Sequence, residues 1–216
     1  MRSDCPMMDL VIVGAGGLGR EAAWTVERIN AASDAAVWRI VGFADDAPCK
    51  ASGEFCGFPL LGPCSKVAQA LPDASFFVAV GGNATREKVV RALGDMDFPP
   101  LVDPSADVAP SARVSRGAFV GPQSVVSVGA TVGAFAIVNA RAGVGHDSVL
   151  GDFSQVCPGA SLSGATVLGA RALVGTNACT VPCVKVGADA TVATGTTAFA
   201  DVAENATLSP FGTLRR

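Results

Sequence analysis

From Val108 onward an aliphatic side chain returns at every sixth residue: Val108, Val114, Val120, Val126, Val132, Val138, Val144, Leu150, Val156, Leu162, Leu168 and Val174. The series lapses at Thr180 and resumes at Val186 and Val192. Four residues after each aliphatic position comes a small one, as in Ala112, Ala118, Ser124, Ala130, Ala136 and Ala142. A helix repeats near 3.6 and a strand at 2, so neither generates this pattern. Period six, with one aliphatic and one small inward position, is the signature of a parallel β-helix. Three hexads make one triangular coil, so residues 108–197 predict about five coils and, at ~4.8 Å per coil, a prism roughly 24 Å tall. The small residues let the chain turn inward where a large side chain would not fit. Residues 108–200 accordingly carry only Phe119, Phe135, Phe153 and Phe199 among aromatics.

Residues 8 to about 103 follow a different pattern. Leu10-Val11-Ile12-Val13 reads as a short buried strand, followed by Gly14-Ala15-Gly16-Gly17-Leu18-Gly19. Leu18, Ala22, Val26 and Ile29 then fall on one helical face. Val37 to Phe43 predicts a second strand, ending at Asp45-Asp46. Phe76 to Val80 predicts a third, followed by Gly81-Gly82-Asn83 and a helix from Thr85 to Leu93 with Asn83 as its start signal. Alternating strands and helices imply a small parallel α/β sheet. Pro99-Pro100 and Asp103-Pro104 punctuate the junction. The expected organisation is a Rossmann-like domain over residues 1–103 and a β-helix domain with a C-terminal tail over 104–216.

Composition removes several function classes. The net charge of −3 argues against nucleic-acid binding, which needs a basic stripe. No apolar run reaches the roughly 18 residues that cross a bilayer. Met1 to Asp9 carries Asp4 and no apolar stretch, so no signal peptide is expected. The seven cysteines, Cys5, Cys49, Cys56, Cys64, Cys157, Cys179 and Cys183, are odd in number and form no Cys-x-x-Cys. Reduced thiols and a cytoplasmic location are the expectation. His146 is the only histidine, which excludes a metal site built from several histidines of one chain, and no metal is expected.

Gly14-x-Gly16-x-x-Gly19 lies between a strand and a helix, the setting in which such glycines let a phosphate approach a helix N-terminus. For a dinucleotide the ribose-binding acid is expected about 20 residues on. Asp45 stands 26 past Gly19, and only about three strands precede the repeat, so there is no half-domain for a nicotinamide. A grip on a nucleotide-linked ligand fits better, and a tight turn without a ligand fits the same motif. Open parallel sheets bind ligands at the carboxyl ends of their strands, where Gly14 to Gly17, Asp45-Asp46 and Gly81 all fall.

Gly145-His146-Asp147 sits inside the hexad begun by Val144, with His146 two residues past the inward position and so pointing outward. A neutral imidazole is the usual general base near neutral pH, and a neighbouring carboxylate raises its basicity. A solvated surface histidine beside an acid fits the sequence equally.

Taken together, the glycine loop, the Asp-Asp pair, Phe76-Phe77-Val78-Ala79-Val80-Gly81-Gly82-Asn83 and a hexapeptide prism carrying Gly-His-Asp resemble one family, over roughly residues 8 to 200 and in the family's order. It is the sugar O- and N-acyltransferases of bacterial glycan synthesis, which include sialic acid O-acetyltransferases and UDP-4-amino-sugar N-acetyltransferases. The resemblance implies a left-handed prism, a homotrimer, and acetyl-CoA lying in the groove between neighbouring prisms. It implies that the first domain holds the nucleotide sugar through Gly16, Gly17, Leu18, Asp45, Asp46 and Gly81. His146 matches the catalytic base and Asp147 its acidic partner, with the Gly164 N–H stabilising the oxyanion. Gln155, Gly164, Thr176 and Thr194 match the acetyl-CoA groove. Gln155 stands where some relatives carry a second histidine, and Leu18 where a His or Lys is common. The usual C-terminal Gly-x-Pro-Ala-Lys segment is absent.

The leading expectation is an acetyl-CoA-dependent acetyltransferase acting on an amino or hydroxyl group of a nucleotide-linked sugar, a UDP-4-amino-sugar first. A sialic acid O-acetyltransferase and a non-catalytic, nucleotide-sugar-binding trimeric scaffold are the alternatives. A prism-type carbonic anhydrase needs three histidines on zinc and is excluded by the lone His146.

Overall fold

One hexad cannot bury its aliphatic residue alone; stacking supplies the cover. In the computed structural model, which describes residues 7–47, 49 and 52–215, each hexad from Asp107 on gives a two-residue strand. Each strand pairs in parallel with its counterparts 18 residues away, as Val126 does with Val108 and Val144. Three faces result. The first holds Asp107–Val108, Val125–Val126, Gly143–Val144, Ser161–Leu162, Cys179–Thr180 and Thr197–Ala198. The second runs from Arg113–Val114 to Lys185–Val186, and the third from Phe119–Val120 to Thr191–Val192. At the far end the register shortens to 16, with Thr191 opposite Thr207, and Ala206–Ser209 pairs antiparallel with Gly212–Arg215.

The aliphatic positions form interior files; Val126, Val132, Val138, Val156, Val174 and Val192 are fully buried. Thr180 keeps the interior position at the lapse and is buried too. Its hydroxyl is satisfied by Thr166 Oγ1 at 2.8 Å and by the Ser163 N–H at 3.2 Å. Corners take residues with positive φ, among them Phe135, Asp147, Phe153, Arg171 and Asp189. Equivalent corner positions, 18 residues apart, therefore stack in columns. Phe135 lies flat on Phe153 with ring centres 5.1 Å apart, and Arg171 pairs with Asp189 at 2.6 Å. The aromatic residues of this column are thus corner residues, outside the interior files.

The unit Met1–Pro104 is compact in itself, as is Ser105–Arg216. The first comprises β1 (Met8–Val13), α1 (Gly17–Ala32), β2 (Trp38–Ala44), β3 (Glu54–Phe55), β4 (Phe58–Gly62), α2 (Cys64–Ala70), β5 (Ser75–Val78) and α3 (Asn83–Leu93). The sheet order is β3-β4-β2-β1-β5, parallel except for β3 against β4. The expectation of about three strands is corrected to five. The extra pair is a hairpin turned by Cys56 and Gly57, both at positive φ, as a type I′ turn requires. β1, β2 and β5 are adjacent, so the loops after them share one edge of the sheet. Among the described residues no helix is long and apolar enough to cross a membrane. The six described cysteines are free thiols; Cys5 lies outside the described residues, as does the segment Met1 to Pro6 of the signal-peptide reading.

Candidate active site

The corner after strand Gly143–Val144 presents His146 outward, 64% exposed at its side chain. Asp147 takes the positive-φ turn position and donates its N–H to the Val128 carbonyl at 2.9 Å. Its carboxylate Oδ2 lies 2.9 Å from His146 Nδ1. In the neutral tautomer that gives Nδ1–H to the carboxylate, Nε2 is the free proton acceptor.

Glycines make the floor of this pair. A Cβ at Gly164 would lie 2.3 Å from His146 Nε2, so the imidazole rests directly on that backbone. A Cβ at Gly145 would meet the Gly164 nitrogen at 2.7 Å, and one at Gly129 would meet Asp147 Oδ1 at 2.5 Å. The structure therefore brings together His146, Asp147 and Gly164 of the expected residues and adds Gly129 and Gly145. Coil arithmetic holds the signal for both contacts: Gly129 precedes Asp147 by one coil, and Gly164 follows His146 by one.

The other residues matched to the acetyl-CoA groove lie elsewhere on the prism. Gln155 is on the third face, and its Oε1 is buried without a hydrogen-bond partner among the described residues. Thr176 and Thr194 occupy equivalent corners after third-face strands, one coil apart. Within one chain this corner is not the one that carries His146.

In the first unit the glycines divide by role. Gly14 has φ +106, and a Cβ there would lie 2.8 Å from the Ala79 carbonyl. At Gly19 it would lie 2.1 Å from the Gly14 carbonyl. These two serve close packing of helix on sheet. Gly16, Gly17 and Gly81 face open space, with nothing within 4 Å. α1 starts at Gly17 with neither a side-chain cap nor an acid in its first turn, which leaves its N–H groups and positive dipole end for an anion. Leu18, half-buried, lies in that first turn.

Asp45 and Asp46 are both tied to backbone. Asp45 accepts the Ala15 N–H at 2.8 Å and the Ala47 N–H at 2.9 Å, bracing the glycine loop. Asp46 accepts the Cys64 N–H at 2.8 Å, capping α2, yet stays exposed. It borders a cleft of about 310 Å³ that also touches Cys64, Ser65, Thr85 and Lys88. Sequence reasoning missed this cleft, because α2 carries no motif. Burial, with Asp46 beside it, pushes the Cys64 thiol up to about 12. Arg86, fully buried, donates to the Val80 carbonyl at 2.8 Å and to Asn83 Oδ1 at 3.0 Å, fixing the loop after β5. Desolvation lowers that guanidinium to about 10, so it is charged at neutral pH. Among the described residues no cluster of three His, Cys, Asp or Glu could hold a metal ion.

Comparison with known proteins gives consistent likenesses. Residues 9–93 match the family described as PglD N-terminal domain. UDP-N-acetylbacillosamine N-acetyltransferase of Bacillus subtilis is 34% identical over 116 residues, 51% of this chain and 50% of that protein, so the match spans about half the relative's length. The acetyltransferase domain of PglB from Neisseria gonorrhoeae is 30% identical, with 96% of this chain and 99% of that one covered and a TM-score of 0.86. A second structure of that domain, in complex with acetyl coenzyme A, superposes with a TM-score of 0.85 at 29% identity over 98% of this chain and all of that one. PerB from Caulobacter crescentus, in complex with CoA and GDP-perosamine, is 25% identical over 98% of both chains with a TM-score of 0.86. The shared fold is a small α/β unit followed by a left-handed parallel β-helix.

Proposed function

The chain belongs to the sugar N-acyltransferases of the hexapeptide-repeat family, and from that premise we propose that it transfers the acetyl group of acetyl-CoA to the amine of a nucleotide-linked amino sugar, with His146 as general base. The observation that carries the reading is the seating of His146: Nδ1 held by Asp147 at 2.9 Å, Nε2 free and resting on Gly164.

In the proposed reaction the neutral sugar amine attacks the thioester carbon. A C–N bond forms, the carbonyl oxygen gains the negative charge, and the Gly164 N–H stabilises it. His146 Nε2 takes the proton from the attacking nitrogen, and Asp147 stabilises the imidazolium. The carbonyl reforms, the C–S bond breaks, and the thiolate leaves with the proton as CoA thiol. Asp147 acts as a positioning residue through His146.

The nucleotide end is assigned to the first unit. Gly16, Gly17 and Leu18 would meet a phosphate at the start of α1, and Gly81 and Asp46 would border the remainder of the ligand. Asp45 would act by bracing the loop. For acetyl-CoA, Gln155, Thr176 and Thr194 are assigned to a groove completed by a second copy, because His146 occupies a different corner of the same chain. A homotrimer of parallel prisms supplies that arrangement, and the reading puts the reaction in the cytoplasm, where acetyl-CoA is made. One relative is named for a UDP-linked sugar and another is bound to GDP-perosamine, so UDP- and GDP-linked amino sugars, each with its hydroxyl counterpart, form the test panel. One acetyl group gained by an amino sugar in the presence of acetyl-CoA, and lost in His146→Ala, supports the assignment. Binding of the nucleotide sugars without any binding of millimolar acetyl-CoA would favour a scaffold instead.

A further inference from the structure

The one lapse in the hexad series lies beneath the peptide on which His146 rests. Elsewhere on this corner the residue after the interior position donates its N–H to the interior carbonyl one coil on: Ser127 to Val144 at 3.0 Å, Gly145 to Leu162 at 2.9 Å, Val181 to Ala198 at 3.1 Å. The turn is then closed by the residue three further on, as Ala130 does to Ser127 and Ser148 to Gly145. At Ser163 hydroxyls take both roles. Its N–H donates to Thr180 Oγ1 at 3.2 Å. Its carbonyl accepts from Thr166 Oγ1 at 2.8 Å and from Ser148 Oγ at 3.2 Å. The Thr166 N–H turns to Ser148 Oγ at 3.2 Å. One proton arrangement satisfies all three groups: Thr180 donates to Thr166 Oγ1, and Thr166 and Ser148 donate to the Ser163 carbonyl. All three side chains belong to buried residues.

A trans peptide points its C=O and N–H in opposite directions. With the Ser163 carbonyl drawn inward by two hydroxyls, the Gly164 N–H is turned away from the interior, and a Cβ on the same residue would lie 2.3 Å from His146 Nε2. An aliphatic residue at 180 would restore the ordinary ladder and remove buried polar atoms, so packing alone gives no reason for a threonine there.

We infer that Thr180, with Thr166 and Ser148, forms a buried hydroxyl clamp that aims the Gly164 N–H at the developing oxyanion, which makes Thr180 a positioning residue for acyl transfer. The inference rests on the reading of His146 and Gly164 as the transfer centre. An oxyanion donor is effective only when it is held where the charge develops.

The test is a pair of variants with opposite signatures. Thr180→Val carries the residue of the neighbouring hexads, so its Tm should stay level or rise. Its single-turnover acetyl-transfer rate should fall roughly 5–30-fold, less than the 10²–10³ for outright loss of a donor. The acetyl-CoA KM and the acid limb of the pH profile should stay in place. Thr180→Ser keeps the hydroxyl and loses a buried methyl, so it should lose Tm and keep the rate. If Thr180→Val folds poorly, Ser148→Ala releases the same carbonyl from the other side and must show the same rate loss. A full rate in Thr180→Val, or equal rate losses in the Val and Ser variants, overturns the clamp. His146→Ala separates the two levels. If it abolishes transfer while Thr180→Val is fully active, the clamp alone fails; if His146→Ala is fully active, the transfer centre itself is wrongly placed.

Discussion

Because most of the His146 side chain is in solvent, its variants can be read as chemistry. His146→Ala should lower kcat by roughly 10²–10⁴-fold and leave Tm nearly unchanged. Asp147→Asn should cost less, since it weakens a partner and leaves the acceptor. Gly164→Ala is the sharper geometric probe: its methyl would strike the imidazole, so it should cost kcat comparably with every titrating group intact. Asp46 behaves differently because it caps α2. Asp46→Ala should raise the nucleotide-sugar KM, leave the acetyl-CoA KM nearly unchanged, and lose about 1 kcal/mol of stability as a missing cap. The same variant should speed alkylation of Cys64. Burial chiefly, and Asp46 next, hold that thiol protonated, so in the native protein it should react far more slowly than exposed Cys49, Cys56 and Cys183. Native-state mass mapping of alkylated cysteines checks this.

At the scale of elements, the glycine loop makes a divided prediction. Gly14→Ala and Gly19→Ala would force backbone contacts under 3 Å and should destabilise the first unit severely. Gly16→Ala and Gly17→Ala meet nothing within 4 Å. They should fold normally and raise the KM for the nucleotide sugar, as measured by initial rates at saturating acetyl-CoA. The motif alone does not separate these roles, because all four glycines read alike until β5 and β2 are packed behind them. The hexads are legible because a single spacing carries both burial and register; that spacing turns His146 outward, whereas the roles of His146, Asp147 and Gly164 come from the family resemblance. The hairpin Glu54–Phe58 is not: Cys56-Gly57 lacks the Asn or Asp that marks such turns, and Pro59 breaks the strand pattern. Thr180 reads as a lapse because hydrogen bonding to Ser163 and Thr166 depends on neighbours one coil away.

For the whole molecule, the proposed groove sets a requirement that one chain does not meet, with Gln155, Thr176 and Thr194 away from the His146 corner. Sedimentation should give a species near three times 21.6 kDa. Inactive His146→Ala protein, mixed and reassembled with inactive Thr194→Trp protein, should recover part of the activity, because some grooves would join two intact halves. No recovery from a verified mixed trimer would place the whole site on one chain. The constant 18-residue register has a separate bearing on how such a chain tolerates changes in length. Removing one hexad from between His146 and Gly164 would carry every later residue round to the next face, sending the Gly164 floor away from His146 while the period of the interior files was kept. Removing a full coil would return each side chain to its own face. Losses and gains in the prism therefore keep each later side chain on its own face only in steps of 18, and a chain shortened by six between His146 and Gly164 should fold, stack and be inert.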